Sequence, residues 1–312
     1  MIKKCLFNLL LALPLMIHAQ INKEDTVLSK PGNTEFENRT AKVSARDYFL
    51  LLSSNFKQQA TAPLKLTGHQ WLEVGGAGLI TAGVILSDKG INHAVNNITN
   101  NNTFIQKASP VVTRFGDKYE LITLGSLGLY GLLFKNEKLK ATTLMATQSY
   151  LLAEIWVSAI KYISGRERPN YYNPQTGNNE GNWHGPFFKY HKNAMGYKPD
   201  GSQYSSFASG HATAAFAVAT VFAKQYSDKP VVQIISYSAA SLVALSRMTE
   251  NKHWASDVLI GAALGYFSAS QVVRNYHRFV HSKLLPEKRN KLTFNLNYNY
   301  GLVMPGLTYT FR

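Results

Sequence analysis

Cysteine is almost absent from this 312-residue chain, with Cys5 its one example. The rest of the sequence therefore has no material for a disulfide framework, a thiolate nucleophile or a thiolate metal site. Acidic side chains are scarce too, 18 Asp and Glu against 33 Lys and Arg, giving a formal charge of +15. That balance favours anionic partners: phosphoesters, acidic lipid headgroups or nucleic acid. The basic residues are scattered rather than drawn into a stripe, and no nucleic-acid module is recognisable. Phosphorylated small molecules and lipids remain. Strand-like alternation is missing from residue 66 to about 285. Apolar stretches with helical spacing stand there instead, at 71–87, 121–134, 141–163, 212–226, 230–246 and 257–273. The expected fold is an all-α bundle of about six core helices.

The two ends read differently. Lys3 and Lys4, an apolar run over 5–17 and the small residue Ala19 predict a secretory signal peptide over 1–19. Its removal would leave a charge of +13 and send the protein to the periplasm or cell envelope. Residues 20–65 read as a polar N-terminal extension with a short amphipathic helix near 46–56. The helical domain is expected over 66–285. Over 286–312, Leu292, Phe294, Leu296, Tyr298 and Tyr300 alternate with polar residues, predicting a β-hairpin tail turned at Met304-Pro305-Gly306. The Asn-rich stretch 96–102 reads as a solvated loop.

A membrane-spanning helix needs about 20 mostly apolar residues, and most runs here fall short. Residues 141–160 suffice in length but carry Gln148 and Glu154. The abundance of Gly, Ala and Ser suits close helix packing in lipid. Trp71, Tyr119 and Trp254 sit at run ends, where interfacial anchors belong. Membrane contact, with association or several spans, is the expectation.

The chemistry converges on residues 246–257. His253 and Asp257 are four apart, hence on one side of a helix, where the carboxylate can hold the Nδ1 proton and aim Nε2 outward. Arg247 adds a forked, permanent charge. A solvated surface helix would read the same, but two upstream stretches weigh against it. Lys161 and Arg168 are two helical turns apart, with Pro169 to stop the helix. Ser209-Gly210-His211 leads into an apolar run, the pattern of a helix N-terminus whose free N–H groups cradle an oxyanion.

These three stretches together resemble the type 2 phosphatidic acid phosphatase (PAP2) family, which shares its phosphate motif with vanadium haloperoxidases. The family pattern is Lys-six residues-Arg-Pro, Pro-Ser-Gly-His, and Ser-Arg-five residues-His-three residues-Asp. Lys161, Arg168 and Pro169 match the first. Ser209, Gly210 and His211 match the second, with Ala208 in place of Pro. Ser246, Arg247, His253 and Asp257 match the third.

The resemblance implies phosphoester or pyrophosphate hydrolysis through a phosphohistidine on His253, oriented by Asp257. It implies His211 as the acid and base, and Lys161, Arg168, Ser209, Gly210 and Arg247 as the phosphate cradle. No metal or other cofactor is implied, and the substrate would be a phosphorylated lipid or small phosphoester. Two alternatives stand beside it: a haloperoxidase in which the same residues hold vanadate, and a non-catalytic envelope protein that binds acidic lipid. The irregular stretch 168–205, with His184, Lys189 and His191, is expected to shape substrate preference. Glu154 is seven residues before Lys161 and shares its helix face; a solvated or structural role for Glu154, Arg166 and Glu167 is equally open.

Overall fold

The computed structural model describes residues 43–171, 180–186, 202–284, 291–299 and 302–310. The expected leader, Cys5, Lys189 and His191 lie outside these residues.

Among the described residues eight α-helices form the body: α1 Ala45–Thr61, α2 Gly68–Asn100, α3 Thr103–Thr113, α4 Lys118–Leu133, α5 Glu137–Ser164, α6 Gly210–Gln225, α7 Pro230–Thr249 and α8 Ala255–Leu284. Their starts are written in the sequence. Ser44 with Asp47, and Thr67 with Gln70, close capping boxes on α1 and α2. Asn102, Asn136 and Ser209 cap α3, α5 and α6. Pro230 opens α7. α3 was not among the expected helices; it carries Pro110 within it.

α6 is the central helix, alanine-rich and buried over most of its length between α5, α7 and α8. At two glycines α8 comes close to the backbone of α6. A Cβ on Gly261 would stand 2.6 Å from the Ser209 carbonyl oxygen, and one on Gly265 would overlap the Thr213 carbonyl. α1, within the stretch read as an extension, packs on α5 and α8. Leu51 joins the core there, and Asn55 donates to Gln148 (2.9 Å) while accepting from Asn275 (2.8 Å). Gln148 also donates to the Tyr48 carbonyl, so the polar residue that marred the 141–160 run is a buried tie between helices.

α2 and α7 are long and apolar enough to cross a membrane. Only 6% of the apolar window of α2 is buried; Leu72, Leu79, Ile80 and Leu86 point outward. α2 runs on through Asn96 to Asn100, so most of the expected solvated loop is helix.

The tail is an antiparallel hairpin, β1 Lys291–Asn299 and β2 Leu302–Thr310. Its register pairs Asn299 with Leu302, so Met304-Pro305-Gly306 is not the turn but part of β2, opposite Asn297, Leu296 and Asn295. A two-stranded ribbon is all edge, which tolerates a proline without an N–H.

Candidate active site

Four helix ends meet at one end of the bundle, where α5 and α7 stop and α6 and α8 start. All three motif segments lie there. His253, in the turn between α7 and α8, is buried, and its Nδ1–H donates to the Ser206 carbonyl at 2.8 Å. This corrects the expectation for Asp257. Its Oδ2 is 3.6 Å from that nitrogen, too far for a hydrogen bond. Asp257 instead accepts from the Arg166 guanidinium (2.7 Å), the Ser206 hydroxyl (2.5 Å) and the Trp254 N–H (2.9 Å). The physical reason is local: Asp257 stands in the first turn of α8 and accepts the free N–H of Trp254, the residue just before the helix. Asp257 therefore acts on His253 through space and through Ser206, which bonds both.

Lys161, Arg168 and Arg247 all lie within electrostatic reach of His253 and of His211. Burial first, then the charges of Arg168, Lys161 and Arg247, hold the His253 imidazole well below its ordinary pKa. Burial and then Arg247 pull His211, in the first turn of α6, down to about 3. Both rings are thus neutral at neutral pH while the site is free of an anion. Gly210 lets Lys161 come close to the start of α6: an added Cβ would stand 3.2 Å from Nζ and 3.7 Å from Glu154 Oε1. The Ser209 side chain caps α6 by accepting from the Ala212 N–H (3.5 Å), and as an acceptor keeps its own O–H. Arg247 is held by Glu250 (2.8 Å) and Thr113 (3.3 Å), and its buried Nε has no protein partner.

Arg168 does not share a helix with Lys161. Gly165 adopts φ 55° and ends α5 at Ser164, four residues before the arginine. Arg168 reaches the site from irregular chain, its Nε donating to the Ser202 carbonyl (2.7 Å) and its backbone N–H to Gln203 (2.9 Å).

Several residues in this neighbourhood were not singled out as functional. Arg166 is almost fully buried, stacked between Trp183 (4.7 Å) and Trp254 (5.4 Å), and joins Asp257 to Asp88 of α2. Trp254, read as an interfacial anchor, is instead buried, and its indole N–H donates to the Glu167 carbonyl (2.8 Å). A membrane anchor keeps its polar edge in the wet interface; this one spends it inside the protein. The Glu167 side chain ties segment 180–186 down by accepting from the Asn182 N–H (3.0 Å) and His184 Nε2–H (2.9 Å). His184 is thereby engaged with a carboxylate. Among the described residues no three His, Asp or Glu side chains are grouped to hold a metal ion. The signal for Asp88 was present, a single acid closing an apolar run, but nothing in sequence gives it a partner.

Comparison with known proteins places this geometry. Residues 142–280 match the profile described as the PAP2 superfamily. A stretch of 69 residues is 46% identical to the lipid A 1-phosphatase of Porphyromonas gingivalis, covering 22% of this chain and 16% of that protein. Two crystal structures are similar with a TM-score of 0.43 each. One is Aquifex aeolicus LpxE, at 19% identity over 60% of this chain and 94% of that one. The other is a transmembrane PAP2-type phosphatidylglycerolphosphate phosphatase from Bacillus subtilis, at 18% identity over 75% and 96%.

Proposed function

We propose that the chain, whose residues 142–280 match the PAP2 superfamily profile, is a metal-independent phosphatase of lipid phosphates working through a phosphohistidine. The observation that carries the reading is the buried, neutral His253, fixed at Nδ1 by Ser206 and ringed by three cations and a second histidine.

The tie at Nδ1 leaves the lone pair on Nε2, which attacks phosphorus in line. A P–N bond forms as the P–O bond to the lipid alcohol breaks. Lys161, Arg168, Arg247, the Ser209 hydroxyl and the Gly210 N–H hold the equatorial oxygens as charge shifts outward. The incoming anion offsets the cations that keep His211 neutral, so His211 can carry the proton it gives to the leaving oxygen. It then takes a proton from the water that attacks the phosphohistidine and releases inorganic phosphate. Side-chain cations supply the charge a metal would otherwise bring.

Lipid is favoured over soluble substrate by the bare apolar faces of α2 and α7. Residues 68–87 would span about 30 Å at ~1.5 Å per residue, the thickness of a bilayer core. Asp88 then sits at the membrane boundary, with the catalytic end of the bundle, on the exported side. The P. gingivalis relative is named for lipid A 1-phosphate, which supports including that lipid in the substrate panel.

The test is turnover in detergent micelles on a panel of lipid and soluble phosphates. His253→Ala is expected to lower turnover by at least about 10³-fold. The wild type should form an acid-labile phosphoenzyme and keep its rate in EDTA. A rate lost to EDTA and restored by Mg²⁺, or halide oxidation needing vanadate and peroxide, would overturn the reading.

A further inference from the structure

α2 lies outside the segment that matches the PAP2 profile, yet one of its faces reaches the site. Asp88, Asn92 and Asn96 fall at i, i+4 and i+8, a single stripe along the helix. Asn92 and Asn96 touch the turn that carries His253, and Asp88 touches the first turn of α8 just after it. The side-chain amides of Asn92 and Asn96 donate to Asn251 Oδ1 at 2.7 and 3.3 Å, holding a residue with φ 56° two positions before the histidine. Asp88 accepts from the Ser256 N–H (3.0 Å), the Ser256 hydroxyl (2.5 Å) and the Arg166 guanidinium (2.7 Å). The other guanidinium nitrogen bonds Asp257 and Ser256, at 2.7 Å each. Asp88, Arg166 and Asp257 are each at most 3% exposed.

Each carboxylate accepts from the Arg166 guanidinium and from a backbone N–H, groups that can only donate, an arrangement that favours the anion at both. The cluster behind His253 is therefore Asp88⁻, Arg166⁺ and Asp257⁻, one net negative charge. Without Asp88, Arg166 would cancel Asp257. We propose that Asp88 is a positioning residue of the phosphoryl transfer: it takes up the charge of Arg166 so that Asp257 keeps a net negative field on the imidazole that becomes cationic as phosphorus binds. This inference rests on His253 being the nucleophile. Asp88 touches neither substrate nor the reacting nitrogen; it acts through Arg166 and Asp257, from a helix whose opposite face is bare and apolar. In a low-dielectric interior, one uncompensated charge near a developing cation changes a barrier substantially.

The experiment is a double-mutant cycle on purified, detergent-solubilised full chain, with His253→Ala run beside it and melting used to check folding. Asp88→Asn keeps the shape and removes the charge. It should lower kcat by about 10- to 100-fold, the size typical of outer-shell partners, with KM within about threefold. Arg166→Gln sets two unpaired carboxylates against each other and frees Asp257 from its guanidinium tie, so it should also lower kcat. Asp88→Asn combined with Arg166→Gln restores one net negative charge, so the double variant should recover part of the rate and fall well short of the product of the two losses. A merely structural role lowers the melting midpoint and leaves kcat of the folded enzyme unchanged. Wild-type kcat in folded Asp88→Asn, or multiplying losses, overturns the inference. If Asp88→Asn fails to fold, Asp88→Glu carries the test: with the charge kept, kcat should stay within about tenfold of wild type, and a larger loss with native melting overturns it. Should wild type show no turnover, or His253→Ala retain it, the phosphatase reading itself fails.

Discussion

A histidine buried among three cations is an unusual place to put a base, and the cost of that placement has a measurable sign. Burial and the charges of Arg168, Lys161 and Arg247 all push His253 toward its neutral form. A depressed pKa means the nucleophile is present above it and lost only as pH falls through it. The nucleophile should thus survive acidification through pH 6.5, the region where an ordinary histidine charges. Arg168→Gln removes one of those charges, so the acid limb of kcat/KM should move to higher pH. Substrate ionisation is common to both proteins and cancels in the comparison; a limb that stays put or moves down would contradict the argument. At this scale the sequence was informative about identity and poor about pairing. Lys161, Arg168, His211, Arg247 and His253 were legible because their spacing carries the family pattern, and they do gather. That Ser206 rather than Asp257 takes the Nδ1 proton was not legible, because a backbone carbonyl 47 residues away leaves no trace in side-chain identity.

Among the elements, local rules succeeded where signals are local. Caps at Asn136 and Ser209 and the proline at 230 mark real helix starts. They failed where a long-range contact decides: Asn96 looks like loop until it is seen bonding Asn251, 155 residues on. Gly165 was read through as helix, and it is the stop. The α6–α8 contact carries a stability prediction. Gly261→Ala puts a methyl 2.6 Å from the Ser209 carbonyl, against backbone that cannot swing aside. It should cost about 1–3 kcal/mol of stability, the range for overpacking, read as a lower midpoint in thermal melts. Gly125→Ala on α4 meets nothing within 4 Å and is the control; it should be neutral or stabilising by up to about 1 kcal/mol, since alanine is the better helix former.

For the whole molecule, the surface contradicts the composition. Mean hydropathy is slightly negative, yet Leu72, Leu79, Leu86, Leu132 and Ile234 are bare while Asn55, Gln148, Asp88, Arg166 and Asp257 are buried. Bare leucines outside an apolar core that also holds buried polar ties are what the proposed lipid-facing bundle requires. Counting charges along runs could not reveal it, because the same Gln148 that disqualified α5 as a span is an interior tie. The expressed chain should accordingly sediment with membranes, resist alkaline carbonate and come out with detergent. Leu79→Arg on the bare face of α2 should reduce the membrane-inserted fraction; recovery of the wild type in the aqueous fraction would count against the reading.

The glycines of α8 set one more property. His211 opens α6, and His253 and Asp257 sit at the head of α8, so their separation is gauged by two backbones touching at Gly261 and Gly265. Side-chain bulk elsewhere in the bundle does not enter that gauge. Residues on the bare outer faces of α2, α4 and α7 can therefore drift in size over generations, altering how the protein sits among its neighbours, while the interval between the proposed acid and nucleophile is inherited intact.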